Sequence, residues 1–215
     1  MKITALSPHQ NSTEEQILAV ISTLEADLII LPGNFENTPS LAKIRQALPD
    51  DTWIFVEPGE KMKGHSVVLS RSDTIKLPIQ VFAELPGRQE LSSLESCFPQ
   101  RTVQIGKRSV SFIICGEINA FQQDGTTKSG IDLPFEILIN PAHTVMGRWH
   151  ILGRKLSALS HRGVVVHVAN NNRKSPWIST GVRIYASGKQ VGERGWNSVA
   201  TWCTYTVPST SKALG

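Results

Sequence analysis

Residues 109–117, Ser-Val-Ser-Phe-Ile-Ile-Cys-Gly-Glu, are a mostly apolar run that ends at a cysteine followed by a glycine. A run of this length predicts a buried strand over Ser109–Ile114. In α/β sheets, ligands bind at the carboxyl ends of strands, and a tight turn at Gly116 would expose the Cys115 thiol there. A cysteine can also close an apolar strand as an inert packing residue. Position alone therefore makes Cys115 a candidate nucleophile and no more.

Similar apolar runs, each stopped by turn residues, recur along the chain. The clearest is Asp27–Leu31, which ends at Pro32-Gly33 and has the continuous apolar character of a strand buried on both faces. Further strands are predicted at Lys2–Leu6, Trp53–Val56, Ser66–Leu69, Ile137–Ile139, Val164–Val168, Val182–Ala186 and Ser198–Val207.

Helical signals lie between these strands. A capping box at Ser12-Thr13-Glu14-Glu15 predicts one helix start, and Thr38-Pro39 predicts another with Thr38 as its cap. A third helix has one apolar face, formed by Trp149, Leu152, Leu156 and Leu159. Strands and helices that alternate in this way indicate a single α/β layered domain over residues 1–215.

Composition excludes several classes of protein. With 215 residues, 40% of them hydrophobic and 19% charged, the chain is neither disordered nor a coiled coil. Three cysteines cannot form a disulfide framework and suit a reducing compartment. No apolar run is long enough to span a bilayer, and residues 1–10 lack the apolar region of a signal peptide. These features predict a soluble cytoplasmic protein.

The charge of the chain is unevenly distributed. The formal net charge is +4, and the segment Thr144–Arg194 is strongly basic. Such a segment could attract an anionic substrate, a membrane surface or nucleic acid. Its basic residues are spread over several elements without the aromatic pattern of a nucleic-acid module, so a solvated face is expected and nucleic-acid binding is not.

Few residue patterns point to a specific chemistry. The six histidines lack metal-ligand spacing and no glycine-rich phosphate loop occurs, so neither a metal nor a cofactor is predicted. A cysteine that attacks a carbonyl carbon needs a base and a group that stabilises the oxyanion. Lys76, in an apolar setting, and Glu84 are candidates for such partners. Each could equally be a surface charge.

Taken in order, these elements resemble the nitrilase, or carbon–nitrogen hydrolase, superfamily. The segment Ile114–Glu117 looks like its nucleophile motif, and Lys76–Pro86 resembles the lysine segment of the apolipoprotein N-acyltransferase branch. Leu138–Pro141, the helix that ends at Gly163, and Val165–Asn170 are similar to the family's segments after the cysteine.

The resemblance implies a nitrilase-like α-β-β-α sandwich and a homodimer that acts on a small amide or acyl substrate. It implies that Cys115 forms a thioester, that Lys76 stabilises the oxyanion, and that Glu84 supports the site. It also points to three residues as substrate-binding, namely Glu117, Asn140 and Asn170.

One position departs from the family's pattern. The general-base glutamate of the family comes directly after the proline that ends the second strand, and this chain has Gly33 there. Glu36, Glu84 or Glu117 would then have to take the thiol proton. Two hypotheses follow: a cysteine-dependent hydrolase or acyltransferase, and a catalytically impaired binding protein of the same fold.

Overall fold

The computed structural model describes residues 1–33, 35, 37–57, 65–143, 149–170 and 181–209. The α-helices are α1 (Glu14–Thr23), α2 (Leu41–Ala47), α3 (Arg88–Cys97) and α4 (Trp149–Leu159). The strands are β1 (Lys2–Pro8), β2 (Leu28–Ile30), β3 (Trp53–Val56), β4 (Val67–Leu69), β5 (Thr74–Lys76), β6 (Thr102–Ile105), β7 (Arg108–Phe112), β8 (Ile137–Ala142), β9 (Val164–Ala169), β10 (Val182–Ala186), β11 (Lys189–Val191), β12 (Glu193–Trp196) and β13 (Ala200–Thr206). Short 3-10 helices occupy Phe98–Arg101, Cys115–Ala120 and Lys128–Gly130.

Within these residues the strands form two sheets. The first has the order β12-β13-β1-β2-β3-β4-β5, and the second has the order β11-β10-β9-β8-β7-β6. Strands β1, β2 and β3 run parallel in the first sheet, as do β7, β8 and β9 in the second. Each sheet therefore has a parallel centre whose carboxyl ends lie at one edge, the arrangement that gathers loop residues into a site.

The two sheets pack face to face with helices on their outer sides. Phe55 of the first sheet stacks on Phe112 of the second, with ring centroids 5.2 Å apart, inside the apolar core between the sheets. Helices α1 and α2 cover the first sheet, and α3 and α4 cover the second. The α-β-β-α sandwich predicted from the sequence is confirmed. No described helix is long and apolar enough to cross a lipid bilayer.

Both predicted helix starts are shifted. Helix α1 is capped by Thr13, which closes a capping box with Gln16. The expected box of Ser12 and Glu15 is wrong because the Ser12 hydroxyl donates to the carbonyl of Val199, 2.6 Å away. A long-range contact has thus displaced the local motif by one residue.

Helix α2 begins at Leu41 with Ser40 as its cap, where the sequence predicted Thr38. The Thr38 hydroxyl donates back to the carbonyl of Phe35 and so is not free to cap the helix. Glu14 of α1 accepts a hydrogen bond from the backbone N–H of Ser40, which fixes the start of α2 against the first helix.

Predicted strands agree with the structure to within a few residues. Val182–Ala186 and Trp53–Val56 have the predicted bounds. The strand predicted over Ile137–Ile139 continues to Ala142, because the Asn-Pro pair expected to stop it stays in register with β9.

A buried ion pair connects the 3-10 helix that follows α3 with the 3-10 helix that follows β7. Arg101 and Glu117 are both fully buried, and the guanidinium of Arg101 pairs with the carboxylate of Glu117. Arg101 also donates to the carbonyl of Ile79. Because both charges lie out of water, each depends on the other for stabilisation.

We therefore expect Arg101→Met to lower the free energy of unfolding by about 3–5 kcal/mol, since it leaves the Glu117 charge buried without its partner. Urea denaturation followed by circular dichroism measures this change. The matched control is Lys43→Met, which breaks the solvent-exposed pair between Lys43 and Glu14 and should leave stability nearly unchanged. Equal effects of the two substitutions would contradict a structural role for the buried pair.

Candidate active site

Cys115 lies three residues after the end of β7, at the start of a 3-10 helix, and its side chain is partly buried. Its φ angle of 47° falls in the left-handed region. That conformation costs a residue with a Cβ on the order of 1–3 kcal/mol and is typical of functional sites. The next residue is a glycine, Gly116, because this position has no room for a side chain. A Cβ there would lie 1.8 Å from the carbonyl oxygen of Ala83. The strand thus ends in a strained turn that the loop containing Ala83 packs against.

The carboxylate of Glu117 holds this turn. One oxygen accepts from the backbone N–H of Ile114 at 2.7 Å, and the other accepts from the backbone N–H of Val81 at 2.6 Å. With Arg101 as its ion-pair partner, both oxygens of Glu117 are engaged by protein groups. The residue therefore joins the cysteine turn to the loop after β5, and its side chain is fully buried.

Asn140 holds the same turn from β8. Its Nδ2 donates to the carbonyls of Ile113 and Cys115, at 2.9 and 3.0 Å. Its Oδ1 accepts from Nδ1 of the fully buried His167 at 2.8 Å. Burial, with a contribution from Arg183, lowers the pKa of His167 to about 3, so the ring is neutral and carries its proton on Nδ1. Asn140 is thereby fixed in the orientation that binds the Cys115 carbonyl.

His143 and Glu57 bring a second polar group to the thiol. Nε2 of His143 lies 2.9 Å from Oε1 of Glu57, and the side chains are only 28% and 15% exposed. Glu57 directly follows β3, and His143 directly follows β8. Side chains alternate along a strand, and Phe55 and Ile139 both face the core between the sheets. Glu57 is two residues after Phe55, and His143 is four residues after Ile139, so both side chains point into the space between the sheets. There they meet.

The pKa values of the thiol and the imidazole depend on each other. Burial raises the pKa of the Cys115 thiol, but hydrogen bonds from the His143 ring and backbone N–H, and from the backbone N–H of Gly116, outweigh burial, so the pKa is lower than that of an ordinary cysteine. Hydrogen bonds to Cys115 and to Glu57 raise the pKa of His143 to about 10, against the opposing effect of burial. The arrangement favours a thiolate beside an imidazolium at neutral pH.

Gly33 lies against the His143–Glu57 pair. A Cβ at Gly33 would be 2.3 Å from Oε2 of Glu57 and 2.5 Å from Cδ2 of His143. Both distances are far shorter than any non-bonded contact. The resemblance associates this position with a glutamate. In this protein the volume that a side chain at residue 33 would fill is taken by Glu57 and His143, which follow two other strands.

The residues predicted from the sequence are found in different surroundings. Lys76 is exposed at the end of the edge strand β5, in register with Val67, whose side chain faces the helices of the first sheet. Glu84 is exposed in the loop after β5. Asn170 is buried at the end of β9, and its backbone N–H donates to the carbonyl of Ala142. Glu36 lies outside the described residues. The roles assigned to these residues stay predictions.

Sequence reasoning missed His143 and Glu57. Glu57 directly follows the predicted strand Trp53–Val56, so alternation within that strand could have marked it as a core-facing polar residue. His143 lies four residues beyond Ile139, where the Asn-Pro pair was expected to end its strand, so alternation within the predicted strand did not reach it. That they meet depends on how the two sheets are placed against each other, which no single strand encodes.

The part of the chain that the structure describes contains no group of three or more His, Cys, Asp or Glu side chains placed to hold a metal ion.

Comparison with known proteins relates this fold to the carbon–nitrogen hydrolases. No family model matches the sequence, and no match to a curated protein was found. A CN-hydrolase superfamily protein from Xanthomonas campestris, with an arsenic adduct in its active site, superposes with a TM-score of 0.58 at 11% identity over 97% of this chain and 91% of that one. A mutant amidase from Nesterenkonia sp. AN1, in which acrylamide has added to the active-site cysteine, gives a TM-score of 0.57 at 11% identity, covering 97% and 93%. Another mutant of that amidase, in complex with butyramide, gives 0.56 at 12% identity, covering 95% and 90%. This chain therefore has the nitrilase-like fold.

The pairing of Cys115 with His143 predicts how the thiol responds to pH. In a variant that keeps Cys115 as its only cysteine, alkylation by iodoacetamide should have its midpoint below that of an ordinary thiol. Adding His143→Ala should move the midpoint to higher pH, because the hydrogen bond that favours the thiolate is lost. The rate of alkylation as a function of pH measures both.

A variant that keeps only Cys97 is the matched control. Burial raises the pKa of Cys97, so its midpoint should lie above that of an ordinary thiol. A midpoint at Cys115 that does not change when His143 is removed would contradict the pairing.

Proposed function

We propose that this protein is a cysteine-dependent hydrolase of carbon–nitrogen bonds in small amides, with Cys115 as nucleophile and His143 as its acid and base. The contact between the thiol and the imidazole carries the proposal, because it supplies a thiolate and a proton donor side by side. The fold supports it as well, since amidases are among the proteins with the same architecture.

The first half of the reaction transfers the acyl group to sulfur. The Cys115 thiolate attacks the carbonyl carbon, the C–S bond forms, and the carbonyl π electrons move to oxygen. The oxyanion then returns its electron pair, the C–N bond breaks, and the imidazolium of His143 donates its proton to the departing nitrogen. The amine leaves, and a thioester and a neutral imidazole remain.

The second half regenerates the enzyme. His143 takes a proton from water as the water oxygen attacks the thioester carbon. The resulting oxyanion collapses, the C–S bond breaks, and the electron pair returns to sulfur as thiolate. The acid leaves, and the thiolate–imidazolium pair is restored. Asn140 and Glu117 keep the turn at Cys115 in place throughout, so we assign them positioning roles.

Two alternatives to hydrolysis stay open, a binding protein of the same fold and an acyltransferase. Gly33, which cannot act as a base, is the reason for expecting a binding protein, while the imidazole at the thiol supports an enzyme. Acyl transfer to an amine shares the thioester and differs only in its acceptor. The homodimer and the cytoplasmic location that the sequence led us to expect stay predictions as well.

Incubation with butyramide tests the proposal. We expect release of ammonia and butyrate, and an acyl adduct on Cys115 detected by mass spectrometry after acid quenching. Cys115→Ala should abolish both. His143→Ala should lower kcat by roughly 10²–10⁴-fold, the usual contribution of a general acid–base group.

Cys97→Ala is the matched control and should leave the rate of hydrolysis unchanged. A product formed only when an amine acceptor such as hydroxylamine is added would indicate acyl transfer in place of hydrolysis. No adduct with any of a panel of small amides and esters, together with a Cys115 that alkylating agents do not modify, would contradict the proposal and favour the binding protein.

The oxyanion has two candidate partners, which Lys76→Ala separates. The resemblance assigns the oxyanion to Lys76, whereas the backbone N–H groups of Gly116 and His143 lie at the sulfur itself. Because Lys76 shares a sheet face with Val67, away from the core between the sheets, we expect Lys76→Ala to keep most of the activity. Its matched control is Lys107→Ala, which removes an exposed lysine from the turn between β6 and β7. A loss of about 10²–10³-fold in kcat, seen only for Lys76, would assign the oxyanion to the lysine.

A further inference from the structure

We propose that Glu57 is the positioning residue for His143, and that the contact between these two side chains requires a glycine at residue 33. The carboxylate of Glu57 and the imidazole of His143 fill the space that a side chain at residue 33 would need. The inference rests on the proposed function, in which His143 acts as acid and base. It adds that a glutamate base at residue 33, after β2, and the pair of Glu57 and His143, after β3 and β8, exclude each other because they need the same space.

The contacts of Glu57 are the first argument. One carboxylate oxygen accepts from Nε2 of His143 at 2.9 Å, while the other is buried and has no hydrogen-bond partner among the described residues. Burying a carboxylate with only one oxygen hydrogen-bonded costs free energy unless a neighbouring positive charge compensates for it. Cys115 and Glu57 both raise the pKa of His143, and together they outweigh burial, which lowers it. Glu57 thus fixes the ring orientation and leaves the other nitrogen for Cys115.

The space around Gly33 is the second argument, and it is independent of charge. The unpartnered oxygen of Glu57 and Cδ2 of His143 lie 2.3 and 2.5 Å from the place of a Cβ. Gly33 does not have a left-handed φ, so its backbone would accept any residue. What excludes a side chain is the catalytic pair itself. A glutamate at this position would displace the pair and not complement it.

The steric claim predicts that the smallest added side chain disturbs the site. Gly33→Ala should displace the carboxylate and the ring, and lower kcat for amide hydrolysis on the order of 10²-fold, as expected for a displacement of about 1 Å. It should also move the pH midpoint of Cys115 alkylation toward that of an ordinary thiol. Gly153→Ala is the matched control, because its Cβ would meet only the hydroxyl of Tyr185 at 3.6 Å, an ordinary contact.

Substitutions at Glu57 separate volume from charge. Glu57→Gln keeps the volume, so adding Gly33→Ala to it should cause a further loss. Glu57→Ala removes the carboxylate, so the imidazole of His143 can shift into the space that the Glu57 side chain leaves. Adding Gly33→Ala to this variant should therefore have little further effect on the pH midpoint of Cys115 alkylation. A double-mutant cycle on kcat and on the midpoint measures this coupling. Thermal melting of each variant confirms that it is folded.

Three results would overturn the inference. Gly33→Ala could behave as Gly153→Ala does, the effects of Gly33→Ala and Glu57→Ala could simply add, or Gly33→Glu could retain full activity. The alkylation midpoint is read without any substrate. If the protein fails to hydrolyse amides, the proposed function fails, while the coupling between Gly33 and Glu57 is still measured by the thiol alone.

Discussion

The site depends on one contact, between the sulfur of Cys115 and the imidazole of His143. The two residues follow neighbouring parallel strands of the second sheet, so the fold itself brings them to the same edge. Each shifts the pKa of the other toward the charged form. Without the imidazole, Cys115 would be a partly buried cysteine whose burial makes it less reactive. Every step of the proposed chemistry uses this pair.

The rest of the architecture serves to hold that contact in place. The left-handed backbone at Cys115 is strained. Several contacts hold it in this conformation: the hydrogen bonds of Asn140 and Glu117, and the close approach of Ala83 to Gly116. The neutral His167 fixes the side chain of Asn140 in turn. The first sheet contributes Glu57 from the opposite side of the core. The site is therefore assembled from both sheets, which explains why a two-sheet sandwich suits this chemistry.

Much of the fold could be predicted from the sequence, since buried strands are continuous apolar runs and α4 has one apolar face. What failed was local: the caps of α1 and α2 moved because Ser12 and Thr38 bond to other backbone groups. Cys115 could be found because a strand, a thiol and a glycine are adjacent in the chain. His143 and Glu57 could not, because their meeting depends on the packing of two sheets. The sequence shows that Gly33 cannot act as a base, but it does not show that the side chains of Glu57 and His143 lie where a side chain at this position would go.

The protonation state of the His143 ring tests the central claim most directly. In a protein with labelled histidines, the His143 resonance can be assigned by its loss in His143→Ala and followed with pH by nuclear magnetic resonance. We expect the His143 ring to stay protonated through neutral pH and to titrate near 10, and we expect its pKa to fall when Cys115 is replaced by alanine. A ring that titrates like an ordinary histidine and does not respond to the loss of Cys115 would contradict it.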